Sequence, residues 1–552
     1  MAADVDAILR RHDQIKRKRT LLEQNWRECY DVTYPLRGAK LALGAGGSSA
    51  LADADAAQSY ARSQIAKIFD TTATDSTRIL ASSLVSGSTP ASSRWFGLGI
   101  EGVDDEDGDT PDDESVFLDE AANTIWNDIH GSNFDPVAYE CAIDEVIAGW
   151  HVMFIDSKET EDGGWDGYVF EQWSLAGTWA TASKPAGPLD TFHREVAMTV
   201  QQALNKYGEE NCSTTLRGRA KAAPYDMVTI IQSVYPRDKA DRVAGGRLAR
   251  NLPFATCHIE KDTKKLVRES GYHECPITAP RWMLIPDSDY PVGPVFDALP
   301  DIKSLNKAVE MSFANMDLAI AGMWIAEDDG VMNPRTLKIG PRKVVIANSV
   351  DSMKPLVPAG KFDLAALEIQ RLQRSIRKVL MADQLEPQEK GQRTATEVTV
   401  NVELIRQLLG PVFGRRQAEF MRPMVERCFG LALRAGRLGM PPDSLRGKNI
   451  KVKYSGPLAR SQKMVDVAAM DRYETTLAQE AAAGHPEVWD NYDLDEAART
   501  RADLLGVPAR LIVKEDDRDA RRQQKQQAAQ QQQAMQTAAP IIQQAIKQGA
   551  PV

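Results

Sequence analysis

Residues 302–323 read IKSLNKAVEMSFANMDLAIAGM, and residues 364–380 read LAALEIQRLQRSIRKVL. In the first stretch Ile302, Leu305, Val309, Phe313, Met316, Ile320 and Met323 recur every three or four residues, which puts all seven on one face of an α-helix. At 1.5 Å per residue that helix spans roughly 33 Å. In the second stretch Ile369, Leu372, Ile376 and Leu380 form the apolar stripe, while Arg371, Arg374 and Lys378 fall at about 200°, 140° and 180° from it. One face packs and the opposite face is cationic. Between the two, residues 331–357 hold Lys343-Val344-Val345-Ile346 and Pro355-Leu356-Val357 among the turn residues Gly340, Pro341 and Asn348, a strand-forming insert too small for a domain. Thr394, followed three residues later by Glu397, forms a capping box. It opens a further helix to about Ala435, which Gly410-Pro411 must kink or break. The layout builds a projection, not an active site.

Working outward, residues 5–34 read as a helix carrying Ile8, Ile15, Leu22, Trp26 and Tyr30, with Lys16-Arg17-Lys18-Arg19 expected on a wet face. Residues 71–85 form a second helix, 94–98 a short strand, and 117–130 and 136–149 two more helices. From Trp150 the texture changes: 151–156, 167–173, 178–183, 227–235 and 254–260 are short β-branched and aromatic runs, interrupted by a helix at 199–207. Residues 297–300 form an irregular approach to the first long helix. A strand at 449–454 precedes helical patterns at 459–482, 493–505 and 508–514. Residues 521–552 contain twelve Gln and seven Ala, a disordered tail or a marginal helix that firms up only by packing. No internal repeat is visible. The whole reads as α+β, predominantly helical.

A chain of 552 residues is long enough for about three or four core-bearing units. No apolar run approaches the roughly 18 residues that cross a bilayer, and no secretory apolar region follows the N-terminus, so a soluble protein assembled in a cytoplasm, with no membrane partner, is expected. The net charge of −10 is local: residues 101–120 hold eleven acids and no Lys or Arg, which leaves +1 for everything else. That window reads as a solvated acidic loop, since Val103 stands where a calcium loop needs its first ligand. The six cysteines show no C-x-x-C pair. Cys257-His258 and His273-x-Cys275 could offer four soft ligands, but neighbouring strand residues point to opposite faces and cannot share one metal. No metal or cofactor is expected.

Catalytic signatures are missing too. Gly-Lys occurs only at Gly360-Lys361-Phe362 and Gly447-Lys448-Asn449, neither of which can cradle phosphates as a nucleotide-binding loop does. His273-Glu274 lacks a second histidine at Ile277, and no G-x-S-x-G elbow is present. The chain is not expected to be an enzyme.

Several segments, in order, resemble the head-to-tail connector (portal) proteins of short-tailed, T7-like bacteriophages. They are Thr77-Arg78-Ile79-Leu80-Ala81-Ser82-Ser83-Leu84 with Trp95-Phe96-Gly97-Leu98; Pro280-Arg281-Trp282; Tyr290-Pro291-Val292-Gly293-Pro294; Ala298-Leu299-Pro300-Asp301; Thr394-Ala395-Thr396-Glu397-Val398; Leu409-Gly410-Pro411; and Tyr454-Ser455-Gly456-Pro457-Leu458. Pro291-Val292-Gly293 departs from a more usual Tyr-Gly pair. The resemblance implies a ring, usually of twelve copies, at one capsid vertex of the virion, through which double-stranded DNA is packaged and ejected.

It further implies a wing (1–300 with 394–448), a stem (301–323 and 362–380), a clip (324–361), a channel loop (381–393), a crown (449–520) and a tail (521–552). Implied partners are further copies of the chain, the terminase packaging motor, tail adaptor and tube proteins, major capsid and scaffolding proteins, and internal core proteins. Arg371, Arg374, Lys378, Gln384, Gln388, Lys390 and Arg393 then become candidates for lining the channel or pairing between subunits, and Arg335, Lys338, Arg342 and Lys343 for a docking surface on the clip. The alternatives are another structural virion protein, such as a capsid or tail adaptor protein, and a DNA-processing enzyme.

Overall fold

In the computed structural model, α1 (Val5–Asp31) starts where the Asp4 side chain accepts the Ala7 N–H at 3.1 Å, satisfying a donor that the first turn leaves open. Its inward stripe is Ile8, His12, Ile15, Arg19, Trp26 and Tyr30, all buried. The expected wet face is therefore wrong at Arg19. That guanidinium is fully buried and donates to the carbonyls of Leu175 (2.7 Å), Ala176 (3.3 Å) and Thr178. Lys16 turns in as well, 3.4 Å from Glu195.

The described residues are 4–42, 54–100, 112–159, 164–242, 248–321, 323–326, 353–356, 362–385, 410, 412–445, 450–454, 457–505, 507, 511, 513 and 518–528. They divide into two units, residues 1–86 with 129–431 and residues 87–128 with 432–552.

In the first unit α2 (Phe134–Ala148) precedes the hairpin of β1 (Met153–Glu159) and β2 (Trp165–Gln172). A five-stranded antiparallel meander follows: β3 (Thr178–Thr181), β4 (Thr191–Thr199), β5 (Met227–Pro236), β6 (Phe254–Glu260) and β7 (Leu266–Tyr272), in that order across the sheet. Strand alternation decides what each face packs on. Met198, Val228, Ile230 and Val267 pack with Val200, Leu204 and Leu216 of α3 (Val200–Tyr207) and α4 (Thr214–Ala222). Ile231, Cys257 and Ile259 pack on Ile8 of α1. Burying one such Val or Ile side chain stabilises the sandwich by about 1.5–3 kcal/mol. The same alternation sends Cys257 toward α1 and Tyr235, and His258 toward Tyr207 of α3, on opposite faces.

Two strands, β4 and β7, and helix α4 had no counterpart in the sequence reading. β4 escaped it because His193 and Glu195 occupy the face it turns toward α1, which hides the apolar–polar alternation.

Two glycines mark a close backbone approach. α2 ends at Gly149, which has φ +86°. A Cβ there would lie 2.4 Å from the Val292 carbonyl carbon, and one on Gly293 would lie 2.5 Å from the Val146 oxygen. Immediately beyond, α5 (Pro294–Ala321) begins on a proline, which tolerates the first turn because its missing N–H would go unused. The irregular approach expected at 297–300 is thus helical, with Pro300 inside the helix. Met323, expected on the helix, belongs instead to β8 (Met323–Ala326), which pairs with β9 (Met353–Leu356); the strand run at 343–346 lies outside the described residues. α6 (Phe362–Val379) returns alongside α5. The capping box Thr394/Glu397 also lies outside the described residues; from 412 the chain is helical through α7 (Arg422–Arg434), interrupted by a π-turn at Gln417–Met421.

The second unit pairs Phe96–Ile100 with Ile450–Tyr454 in an antiparallel ribbon. The acidic window is helical from Asp112 onward, with Glu114 buried, so the loop reading does not hold for its second half. Pro457–Ala482 and Leu494–Leu505 pack together, with Arg501 on Asp471 (3.4 Å) and Glu474. Residues 518–528 are helical, and Arg522 holds Asp495 through two bonds of 2.5 and 2.6 Å. The chain is mostly helical with several sheets, α+β. No helix of the described residues is long and apolar enough to cross a membrane.

Candidate functional site

The α5–α6 pair is secured at one end and bare at the other. Near its base the Ser375 hydroxyl donates to Asp301 at 2.6 Å, and Gln373 donates to Asp70 at 2.9 Å. Asn306 accepts the backbone N–H groups of Phe69 and Asp70 at 3.0 and 3.2 Å, and Lys303 reaches Glu28 of α1 at 2.6 Å. Ile302, Leu305, Leu372, Ile376 and Leu380 are buried here. Farther along, the stripe of α5 loses its cover: Phe313 is 50% exposed and Met316 48%, and Met311 of α5 and Leu367 of α6 are exposed as well. Large apolar side chains grouped on one projection mark a surface that another molecule covers.

On the opposite face of α6, Arg371, Arg374 and Lys378 are all exposed, as is Gln384 just beyond the helix. Arg371 is held by Glu368 of its own helix at 2.6 Å, and its guanidinium keeps the Glu368 carboxyl below the usual carboxylate range. Both groups are solvated, so this pair adds little to stability. Among the described residues Arg374 and Lys378 make no ion pair, which leaves them as the two available cations of the trio. Arg377, which the sequence reading passed over, pairs with Asp383 at 2.8 Å. Gln388, Lys390 and Arg393, and the insert cations Arg335, Lys338, Arg342 and Lys343, lie outside the described residues. The anchors Asp70, Asn306 and Asp301 were also missed, because polar contacts between segments 74 to 303 residues apart have no periodic signature.

Among the described residues no cluster of three or more His, Cys, Asp or Glu side chains is placed to hold a metal. The site is a braced helical arm with an apolar tip and a cationic flank, the mark of an assembly subunit. The chain belongs to the bacteriophage head to tail connecting protein family, which it matches over residues 5–513. It is similar to the portal protein of Salmonella phage epsilon15, at 26% identity over 523 residues, covering 93% of this chain and 89% of that one. It is also similar to the probable portal protein of Bordetella phage BPP-1, at 27% over 479 residues, covering 81% and 80%. A chain in the neck of an empty gene transfer agent particle aligns at 13% identity and a TM-score of 0.32, covering 68% of this chain and 79% of that one. The protein is a phage head-to-tail connector, a virion component at the capsid vertex whose family role is structural.

Proposed function

We propose that copies of this chain close into a ring, twelve in number, whose α5–α6 arms stand side by side around a channel for double-stranded DNA. The uncovered apolar stripe at the far end of the arm supports this reading. A closed ring needs two different, complementary patches on each copy, and the exposed tip residues supply one that water alone would not tolerate well. In this arrangement residues 301–323 and 362–380 are the stem, 324–361 the clip, 381–393 a channel segment that opens on the short helix Ala382–Leu385 where a loop was expected, 1–300 with 394–448 the wing, 449–520 the crown and 521–552 a tail. The clip, with Arg335, Lys338, Arg342 and Lys343, takes the terminase motor during filling and tail adaptor and tube proteins afterwards. Capsid and scaffolding proteins meet the wing, and internal core proteins the crown.

The chain with Phe313→Ser and Met316→Ser is expected to melt like the parent and to give few or no rings by size exclusion and negative-stain microscopy. Each residue forgoes about 1.5–3 kcal/mol of burial at every interface. Rings at undiminished yield would remove the stem from the assembly contact.

DNA must slide, so a channel wall needs few phosphate contacts, each of which adds salt-dependent affinity. Arg371, Arg374 and Lys378, with Gln384, Gln388, Lys390 and Arg393, are sparse enough to line it. Substituting glutamine for all three stem cations is expected to leave rings intact and to lower the yield of genome-filled particles. Failed rings with normal filling of those that form would reassign the trio to pairing between subunits.

A further inference from the structure

Where α1 crosses the sheet, His12 lies over β4 against His193 and Glu195. The two imidazoles are 2% and 1% exposed, with ring centroids 5.4 Å apart. His12 Nε2 sits 3.1 Å from Glu195 Oε1, and His193 Nδ1 sits 2.8 Å from Ser233 Oγ on β5. The remaining nitrogen of each ring, His12 Nδ1 and His193 Nε2, is buried without a protein partner among the described residues. A proton arriving on either therefore finds no acceptor built to receive it.

The surrounding charge makes that proton less welcome still. α1 contributes Arg11, which donates to Thr191 Oγ1 at 3.1 Å, and Lys16. The β6–β7 turn contributes Lys261, 3.0 Å from Glu195, and β3 offers only the edge of Trp179 against His12. Asp190 accepts from Thr191, and a cavity of about 510 Å³ alongside is lined by Asp6, Arg10, Asp13 and Lys264. Glu195, the carboxylate buried against these rings, is already shared by His12, Lys16 and Lys261. The next buried anchor along α1, Arg19, is of another kind: it donates to main-chain carbonyls, contacts in which no imidazole takes part.

We propose that His193, seated under His12, forms an acid-opened latch, in which protonation of His193 releases residues 5–16 of α1 from the sheet while Arg19 keeps the rest of the helix seated. Burial, with His12 and Arg11 close by, holds the His193 imidazole well below its usual range, so the closed latch is the neutral one. Opening returns the His193 ring to water, where it takes up a proton freely.

Hydrogen exchange on the full chain, followed by mass spectrometry at about pH 7.5 and about pH 5.5, reads the latch directly. After correction for intrinsic rates, protection over residues 5–16 is expected to fall by about tenfold per pH unit below the histidine range, with residues 19–31 nearly unchanged. His193→Gln, which cannot be protonated, is expected to flatten that dependence, and His151→Gln to leave it in place. Uniform behaviour along α1 in the unmodified chain, or the same acid response in His193→Gln, would overturn the proposal. The unmodified chain decides the matter if the variant fails to fold.

Discussion

Replacing Glu145 by alanine is expected to destabilise the first unit by about 3–5 kcal/mol, because it removes the buried carboxylate to which the buried Arg416 guanidinium donates. Both side chains are 1% exposed. Glu145 Oε2 accepts from Arg416 Nη1 and lies 3.0 Å from His151 Nδ1, with His151 wholly buried. Burial pushes the Glu145 carboxyl up, but Arg416 and then His151 outweigh it and hold the group below its usual range.

The pair sits beside the π-turn, where the Arg422 N–H reaches Gln417 O five residues back. A second clamp, Arg281 on Glu419 at 2.6 and 3.0 Å, grips the same turn. The irregular turn thus has its position fixed by two buried ion pairs, and losing one is a large fraction of a total stability of about 5–15 kcal/mol. Arg416→Met should cost a similar amount, yet Glu145→Leu combined with Arg416→Met should cost less than either alone, since no charge is then stranded. Urea midpoints of the parent, Glu145→Leu, Arg416→Met and their combination give the coupling, expected at about 3 kcal/mol or more. Strictly additive costs would mean that the two residues do not act as a pair.

The helical arm was legible in the sequence because its stripes repeat at the helical period and little else competes with them. Its beginning was not, because Pro300 reads as a breaker, whereas the structure carries the helix through it from Pro294. The contact between α1 and the sheet was illegible for one reason acting twice. His12 and Arg19 occupy helix positions that periodicity expects to be apolar, and His193 and Glu195 do the same on β4, so each element concealed the partner that would have explained the other. The cationic flank of α6 was visible as three residues, but the division between Arg371, spent on Glu368, and the available Arg374 and Lys378 depends on rotamers that no spacing encodes. The π-turn and the clamps on it left no trace either, since Arg281, Glu145 and Glu419 are scattered charges until the fold brings them together.

The first unit is also expected to lose stability steeply on acidification, from three histidines it holds neutral. Burial is the leading cause for each. It pushes His151 down against the opposing pull of Glu145, carries His193 well below its usual range, and takes His258, beside Tyr207 with Lys206 and Arg268 nearby, to about 3. A folded value below the unfolded one, about 6.5, means that the unfolded chain binds more protons. The stability is therefore complete above about pH 6.5 and drains as the pH falls toward the folded values, at about 1.4 kcal/mol per unit for each histidine, or about 4 kcal/mol per unit for three. His193 counts only until the α1 latch opens. Below the ordinary carboxylate range Glu195 adds to the loss: burial raises it, but His12, Lys16 and Lys261 prevail and hold it at about 2, so its contribution fades between about 4.5 and 2. Urea midpoints measured from pH 7.5 downward should fall from about pH 6.5, and His258→Gln should shallow the slope by close to one proton. A midpoint that stays level to pH 5 would show that these rings exchange protons with solvent as readily as in the unfolded chain, which their burial forbids.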